Sequence, residues 1–349
     1  MKKMDNPFTI AFGKEPYTII SRENDLKEIY NSFSSDHPES DVYILTGIRG
    51  SGKTVAMSKI SDYYKKEAKW IVVELNPISD MLEQLASKLY DEGRLKKLFL
   101  SAEFNFSFQG FSFSIKGKEP ISNVSTLLSK ELSYLARNKY RVLVTIDEAI
   151  SNDNMKLFVH EFQLFIRNHY PIRLLMTGLY QNISLLQKDK SLTFLYRAPK
   201  IYLGPLNLRA IANSYRTIFN IDEKSSTELA KLTNGYAFAY QLLGSLLFAK
   251  DDVVVDQAIL DKYDEILSER SYSVIYSELT KREKEILEYS LTSNVNKDII
   301  DNLQISKAQL SNYKKVLFLK GIIANNRESI EFVLPRFKEF VAFIKLLNE

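Results

Sequence analysis

The chain has 349 residues, 45% of them hydrophobic, enough material for two or three packed units. It contains no cysteine and three scattered histidines (His37, His160, His169), which excludes a disulfide framework and a cysteine metal site and argues against zinc. A formal net charge of +4 is too mild to imply nucleic acid by itself. The start Met1-Lys2-Lys3-Met4-Asp5 has no apolar core behind its basic residues, and no apolar run of about 18 residues occurs, so no signal peptide and no membrane partner are expected and a cytoplasmic chain is.

The first buried run, Val42-Tyr43-Ile44-Leu45, is followed at once by Gly47-Ile48-Arg49-Gly50-Ser51-Gly52-Lys53-Thr54. This octet is a phosphate-binding loop between a strand and a helix. Its glycines let backbone N–H groups converge on phosphate oxygens, Lys53 adds a cation, the Thr54 hydroxyl reaches toward Mg²⁺, and the helix N-terminus points the same way. A flexible Gly/Ser turn would explain the glycines but not Lys-Thr at the fixed offset.

Further along, Trp70–Leu75 reads as a second buried strand and Asp80–Tyr90 as an amphipathic helix. Phe104, Phe106 and Phe108 alternate with polar residues, and after Gln109-Gly110 the alternation resumes at Phe111-Ser112-Phe113, predicting a hairpin inserted at 101–118. Such a ribbon either stacks on a partner or folds one face onto the core. A helix Val124–Ala136 leads to Val142-Leu143-Val144-Thr145-Ile146-Asp147-Glu148, an apolar strand ending in two acids. There Asp147 is placed to hold Mg²⁺ and Glu148 to orient and deprotonate water, which implies hydrolysis as well as binding. The helix Met155–Asn168, the strand Ile172–Thr177 and a last strand Ile201–Leu203 complete a parallel five-stranded α/β sheet. Thr177 stands at a strand tip. Arg197 lies just before the last strand, where a guanidinium meets a phosphate in its own subunit or across an interface, or else forms a structural salt bridge.

Apolar spacing predicts helices over Leu206–Phe219, Leu229–Phe248 and Asp256–Ser268. From about Tyr272 the pattern is that of a winged helix. Thr280 with Glu283 forms a capping box opening a helix through Tyr289, Asn296–Asn302 and Lys307–Leu319 supply two more helices, and Gly321–Ile323 and Ser329–Leu334 two wing strands. Between Asn302 and Arg327 there are basic residues and no acid, so Lys307, Lys314 and Lys315 are candidate contacts to double-stranded DNA, with Gln309 and Asn312 interleaved. Winged helices also dock proteins, so that alternative stands.

Arg22-Glu23-Asn24-Asp25-Leu26 ahead of the loop, the loop itself, Ile146-Asp147-Glu148, Leu174-Leu175-Met176-Thr177-Gly178, Leu195-Tyr196-Arg197-Ala198 and Thr233-Asn234-Gly235-Tyr236-Ala237-Phe238 together resemble AAA+/STAND-type P-loop ATPases, more narrowly their archaeal-ATPase and origin-recognition-like group. The resemblance spans roughly residues 15–250 and implies an additional-strand P-loop NTPase core with a helical lid, an adenine pocket shaped partly by Ile19, Ile20 and Arg22, and nucleotide-dependent homo-oligomerisation or domain closure. It implies that the Thr177 strand lies between the strands preceding the loop and Asp147, which brings Thr177 to the γ-phosphate. Where relatives carry Gly-Tyr-Pro this chain has Gly235-Tyr236-Ala237. The expected division is an ATPase core over 1–205, a lid over 206–270 and a winged-helix domain over 271–349. The expected activity is slow Mg²⁺-dependent ATP hydrolysis driving a DNA-associated switch. The alternative is a signalling or scaffold ATPase whose winged helix binds protein; no NKxD-like guanine reader is present to favour a GTPase.

Overall fold

The computed structural model describes residues 5–11, 16–93, 106–108, 111–113, 123–189 and 192–348. The chain divides into two compact units. One comprises Glu23–Thr46 and Lys53–Tyr202, the other Met1–Arg22, Gly47–Gly52 and Leu203–Glu349.

In the α/β unit, β1 (Val42–Thr46), β2 (Trp70–Leu75), β5 (Arg141–Ile146), β6 (Ile172–Gly178) and β7 (Lys200–Tyr202) form one sheet in the order β2-β5-β6-β1-β7. All its pairs are parallel. Residues of β1 and β6 are buried without exception, as a sheet covered on both faces requires. Leu45 pairs with Thr177 across β1 and β6, and Ile146 with Met176 across β5 and β6. The inserted β6 therefore lies between β1 and β5, and the C-terminal tips of these strands share one edge. Between β2 and β5 in sequence, β3 (Phe106–Phe108) and β4 (Phe111–Phe113) pair antiparallel; the rest of the expected 101–118 hairpin lies outside the described residues.

The helices of this unit are α1 (Glu23–Ser34), α2 (Lys53–Lys65), α3 (Met81–Asp91), α4 (Val124–Arg137), α5 (Asp153–Arg167), α6 (Tyr180–Lys188) and the short α7 (Thr193–Tyr196). Side-chain caps fix three starts: Asp80 accepts from the N–H of Leu82 and Glu83, Asn123 from Thr126, and Asn152 from Met155. Leu85, Leu128, Leu132, Phe158, Phe162 and Leu174 are fully buried in one core.

The other unit is helical: α8 (Leu208–Phe219), α9 (Glu223–Thr233), α10 (Ala237–Lys250) and α11 (Gln257–Leu267), a π-helical turn Ser268–Tyr272, then α12 (Ser273–Ser277), α13 (Lys281–Tyr289), α14 (Asn296–Leu303), α15 (Lys307–Leu319) and α16 (Phe337–Asn348). The single helix expected over Leu229–Phe248 is two. Asn234 (φ 44°) and Gly235 (φ 76°) turn the chain left-handed, and a Cβ on Gly235 would stand 2.7 Å from the Leu206 carbonyl oxygen. The N-terminal segment packs on α10, where Gln241 accepts from the Thr9 N–H (3.0 Å) and donates to the Thr18 carbonyl (2.7 Å).

The winged-helix portion has the expected capping box at Thr280/Glu283 and a second one at Ser306/Gln309. The expected wing strands are reduced to isolated antiparallel bridges, Ile323 to Phe332 between them and Ser329 to Val295, and Asn326 turns the intervening chain by accepting from the N–H of Glu328 and Ser329. The wing is followed by α16, a helix that apolar spacing alone did not predict.

Candidate nucleotide site and winged-helix surface

Four predicted residues of the α/β unit meet through Asp147. Thr54, at the start of α2, donates its hydroxyl to Asp147 Oδ2 at 2.8 Å. Thr177, fully buried near the end of β6, donates to Asp147 Oδ1. The Glu148 N–H donates to that same carboxylate oxygen (3.1 Å) and to Thr177 Oγ1 (3.0 Å). The Ala149 N–H continues the link to the Thr177 carbonyl at 2.8 Å. Fixed in this way, Glu148 adopts a left-handed backbone (φ 52°), uncommon for a residue with a Cβ, and its side chain is exposed. Asp147 thus acts as the hub, with a hydroxyl on each carboxylate oxygen, while the Glu148 carboxylate faces outward from a rigid turn. Lys53 directly precedes Thr54.

Hydroxyl and carboxylate oxygens are the ligands Mg²⁺ prefers, and Mg²⁺ sites combine one or two carboxylates with water and substrate phosphate. The Thr54–Asp147 pair fits that requirement. No cluster of three or more His, Cys, Asp or Glu that could hold a metal ion occurs among the described residues.

The glycine loop, Gly47–Gly52, belongs to the other unit, where its own partners fix it. Arg22 reaches the Ser51 carbonyl (3.1 Å) and the Gly204 carbonyl (2.7 Å) through Nη2. Ile20 and Ile48 lie in one apolar cluster. The Phe238 N–H donates to the Gly50 carbonyl at 3.1 Å, and the Tyr236 hydroxyl to the Arg49 carbonyl at 2.8 Å. Gly50 needs to be glycine twice over: its φ is 74°, and a Cβ would stand 2.4 Å from the Tyr236 hydroxyl oxygen. Ser51 Oγ is buried with no hydrogen-bond partner among the described residues, an acceptor and donor left over at the loop. Tyr236 as a loop anchor was not legible beforehand; the signal was a tyrosine directly after the left-handed glycine.

Arg197 is exposed on the C-cap of α7 and forms no ion pair among the described residues, so the expected alternative of a structural salt bridge is not realised there.

On the winged helix the three predicted lysines separate. Lys307 and Lys315 are exposed on α15, together with Ala308, Gln309, Ser311 and Asn312. Lys314 is buried: its ammonium donates to Asn296 Oδ1 (2.8 Å) and to the Ser329 carbonyl (3.0 Å), and burial lowers its pKa from the usual lysine value. The expectation that Lys307, Lys314 and Lys315 share one exposed face is therefore corrected. Lys314 stands four residues after Leu310 and three before Leu317, on the helix face that packs inward. Lys320 is likewise committed, to the buried Glu283 at 2.9 Å.

Residues 277–333 match the family model for bacterial regulatory proteins of the luxR family. A Walker-type ATPase of Pyrococcus abyssi superposes with a TM-score of 0.61 at 17% identity, covering 93% of this chain and 96% of that one. The Aeropyrum pernix ORC2 protein, solved as ADPNP–ADP complexes, superposes with a TM-score of 0.56 at 13% identity, covering 97% of each chain. Among curated proteins, the microcin-J25 export ATP-binding/permease protein McjD of Escherichia coli is 26% identical over 223 residues, 55% of this chain. The match spans 37% of that protein's length. No helix among the described residues is long and apolar enough to cross a membrane. The chain has the additional-strand P-loop fold shared with these archaeal ATPases, with a winged-helix module near its C-terminal end.

Proposed function

We propose that the protein is a Mg²⁺-dependent ATPase whose nucleotide state governs a winged helix that binds double-stranded DNA. The observation that carries the reading is the Thr54–Asp147–Thr177–Glu148 cluster: a metal-ligand pair, a strand-tip hydroxyl and an outward carboxylate tied together at the ends of two strands and the start of a helix. In this reading ATP lies with its phosphates over Gly47–Gly52, Lys53 balances their charge, and Ile20 and Arg22 flank the base side. Bound Mg²⁺ would be held by Thr54 and Asp147 and would neutralise charge developing on the phosphates. Glu148 takes the proton of the attacking water, and Thr177 fixes the turn from which Glu148 projects. Asn, Gln and Ser side chains on the open face of α15 suit base edges and phosphates, with Lys307 and Lys315 supplying the charge. The luxR-family match over 277–333 supports this.

A second reading has its own observation. With Lys314 and Lys320 used internally, the exposed cationic surface of α15 is small, which favours a winged helix that docks protein in a signalling or scaffold ATPase.

The exposed Arg197, unpaired among the described residues, extends the proposal to ADP/ATP-dependent homo-oligomerisation with the guanidinium acting across an interface. Lys53→Ala should lose ATP binding by isothermal titration while circular dichroism stays native. Mixing Lys53→Ala with Arg197→Ala protein should restore part of the hydrolysis that each lacks. Native ATP affinity in Lys53→Ala removes the nucleotide reading, and absence of rescue places Arg197 in its own subunit.

A further inference from the structure

We propose that Tyr236 is a positioning residue that relays the state of the Gly47–Gly52 loop to the winged-helix portion of its own unit, an inference that rests on the nucleotide reading above. Its hydroxyl is buried between two partners: the Arg49 carbonyl at 2.8 Å and Ser271 Oγ at 2.6 Å. A tyrosine hydroxyl has one proton, and the carbonyl can only accept. Tyr236 therefore donates to Arg49, and Ser271 donates to Tyr236, giving a directed chain from the π-helical turn to the loop. Burial raises the Tyr236 pKa, which favours the protonated hydroxyl.

The chain acts on the part of the loop that a phosphate would use. A trans peptide sets its N–H opposite its C=O. Holding the Arg49 oxygen toward Tyr236 therefore aims the Gly50 N–H away from Tyr236, which in the nucleotide reading leaves it for a phosphate oxygen. Phe238 holds the next carbonyl, at Gly50, so both peptides flanking Gly50 answer to the start of α10.

At the other end, Ser271 and Tyr272 belong to the π-helical turn between α11 and α12, a wide turn of the sort found where a helix must shift register. The Tyr272 ring stacks on Tyr236 with centroids 6.4 Å apart, its hydroxyl donates to the Pro335 carbonyl at 2.5 Å, and it makes T-shaped contacts with Phe337 (5.0 Å) and Phe340 (5.7 Å). Phe337 and Phe340 are the first turn of α16. A peptide rotation at Arg49 between the anion-bound and the anion-free loop strands the Tyr236 hydroxyl unless Ser271 follows, and Ser271 adjoins Tyr272, which is packed against the base of α16. The two ends are joined through bonded and packed groups, in a core too dense to deform continuously.

Amide hydrogen exchange with and without a non-hydrolysable Mg·ATP analogue tests this on the full chain. In the native protein the analogue should change exchange over residues 268–277 and 337–348. Tyr236→Phe keeps the ring and removes the hydroxyl; it should weaken analogue binding by up to about tenfold and, at saturating analogue, abolish the remote change. Ser271→Ala leaves the Arg49 bond in place and should bind the analogue within about threefold of native while also losing the remote change. A purely structural role would lower the melting temperature of both variants and leave the remote response intact, which overturns the relay. Failure of the native chain to bind the analogue overturns the nucleotide reading and the relay together; native binding with a full response in both variants overturns the relay alone.

Discussion

The α/β unit and the helical unit bury polar groups in different ways. In the α/β unit the main core is aliphatic and phenylalanine-rich, two fully buried tyrosines, Tyr43 and Tyr64, lie outside that cluster, and the polar side chains of the candidate site stand at strand tips, where Thr177 and Asp147 satisfy each other. Inside the helical unit the core itself is laced with tyrosines: Tyr215, Tyr240, Tyr263 and Tyr272 are fully buried. Their hydroxyls reach, respectively, the Tyr240 carbonyl (2.7 Å), Ser214 Oγ (2.6 Å), the Leu232 carbonyl (3.1 Å) and the Pro335 carbonyl. Burial pushes the Tyr240 hydroxyl up to about 12 and raises the pKa of the others. An aliphatic sheet holds a fixed set of reactive groups at its edge. A hydrogen-bonded aromatic core specifies one arrangement of helices, and any shift must trade one bonded partner for another.

The largest expected effect lies at the sheet edge. Glu148→Gln preserves the backbone N–H bonds to Asp147 and Thr177 and removes only the base, so steady-state hydrolysis should fall by on the order of a hundredfold or more with Mg·ATP affinity retained. Asp147→Asn breaks the hub and should weaken the Mg²⁺ dependence itself. Turnover of Glu148→Gln equal to native would show that the outward carboxylate is not the base.

Stability separates the two cores next. Leu174→Ala in the middle of the sheet should cost about 2–5 kcal/mol in urea unfolding, the loss expected for a buried leucine whose site cannot collapse. Tyr215→Phe retains the ring volume and removes the added bond to the Tyr240 carbonyl, so about 0.5–1.5 kcal/mol is expected. A neutral Tyr215→Phe would mean that these hydroxyls fill space without specifying the packing.

On the winged helix, changing Lys307 and Lys315 to Glu should weaken duplex binding and reduce the slope of log affinity against log salt by roughly 0.9 for each phosphate that is no longer neutralised. Lys314→Met should leave that slope unchanged, since its charge faces Asn296 and Ser329. Binding unaffected by the double substitution would hand the surface to a protein partner.

These outcomes follow the line between what the sequence displays and what it conceals. The loop and the strand ending in Asp147-Glu148 were readable because apolar runs and glycine spacing are local signals; the place of the Thr177 strand came from the family resemblance, and the sheet order agrees with it. The capping box at Thr280 was readable as a local signal too. The break at Asn234-Gly235 was hidden because apolar residues continue at helical spacing on both sides, and only backbone φ interrupts them. Lys314 was hidden because counting charges along a segment ignores which helix face each occupies. The Tyr236 bond to Arg49 joins residues 187 apart in sequence, a distance over which no periodicity carries information.

The smallest expected effect concerns a carboxyl inside the α/β core. Glu131 on α4 is almost wholly buried and its Oε2 has no hydrogen-bond partner among the described residues; burial raises its pKa well above the ordinary value of 4.5. The folded chain therefore holds a proton that the unfolded chain releases. Between the unfolded and the raised folded pKa the native state binds more protons, so this group makes stability fall as pH rises, the reverse of a salt-bridged carboxylate. Glu131→Gln keeps the shape and cannot ionise. Its unfolding free energy should lack that downward component above pH 4.5, so the gap between variant and native protein should widen in the variant's favour as pH increases. Parallel pH profiles for the two proteins would show that Glu131 is ionised and compensated inside the fold, and would make the α/β core less purely apolar than its strands suggest.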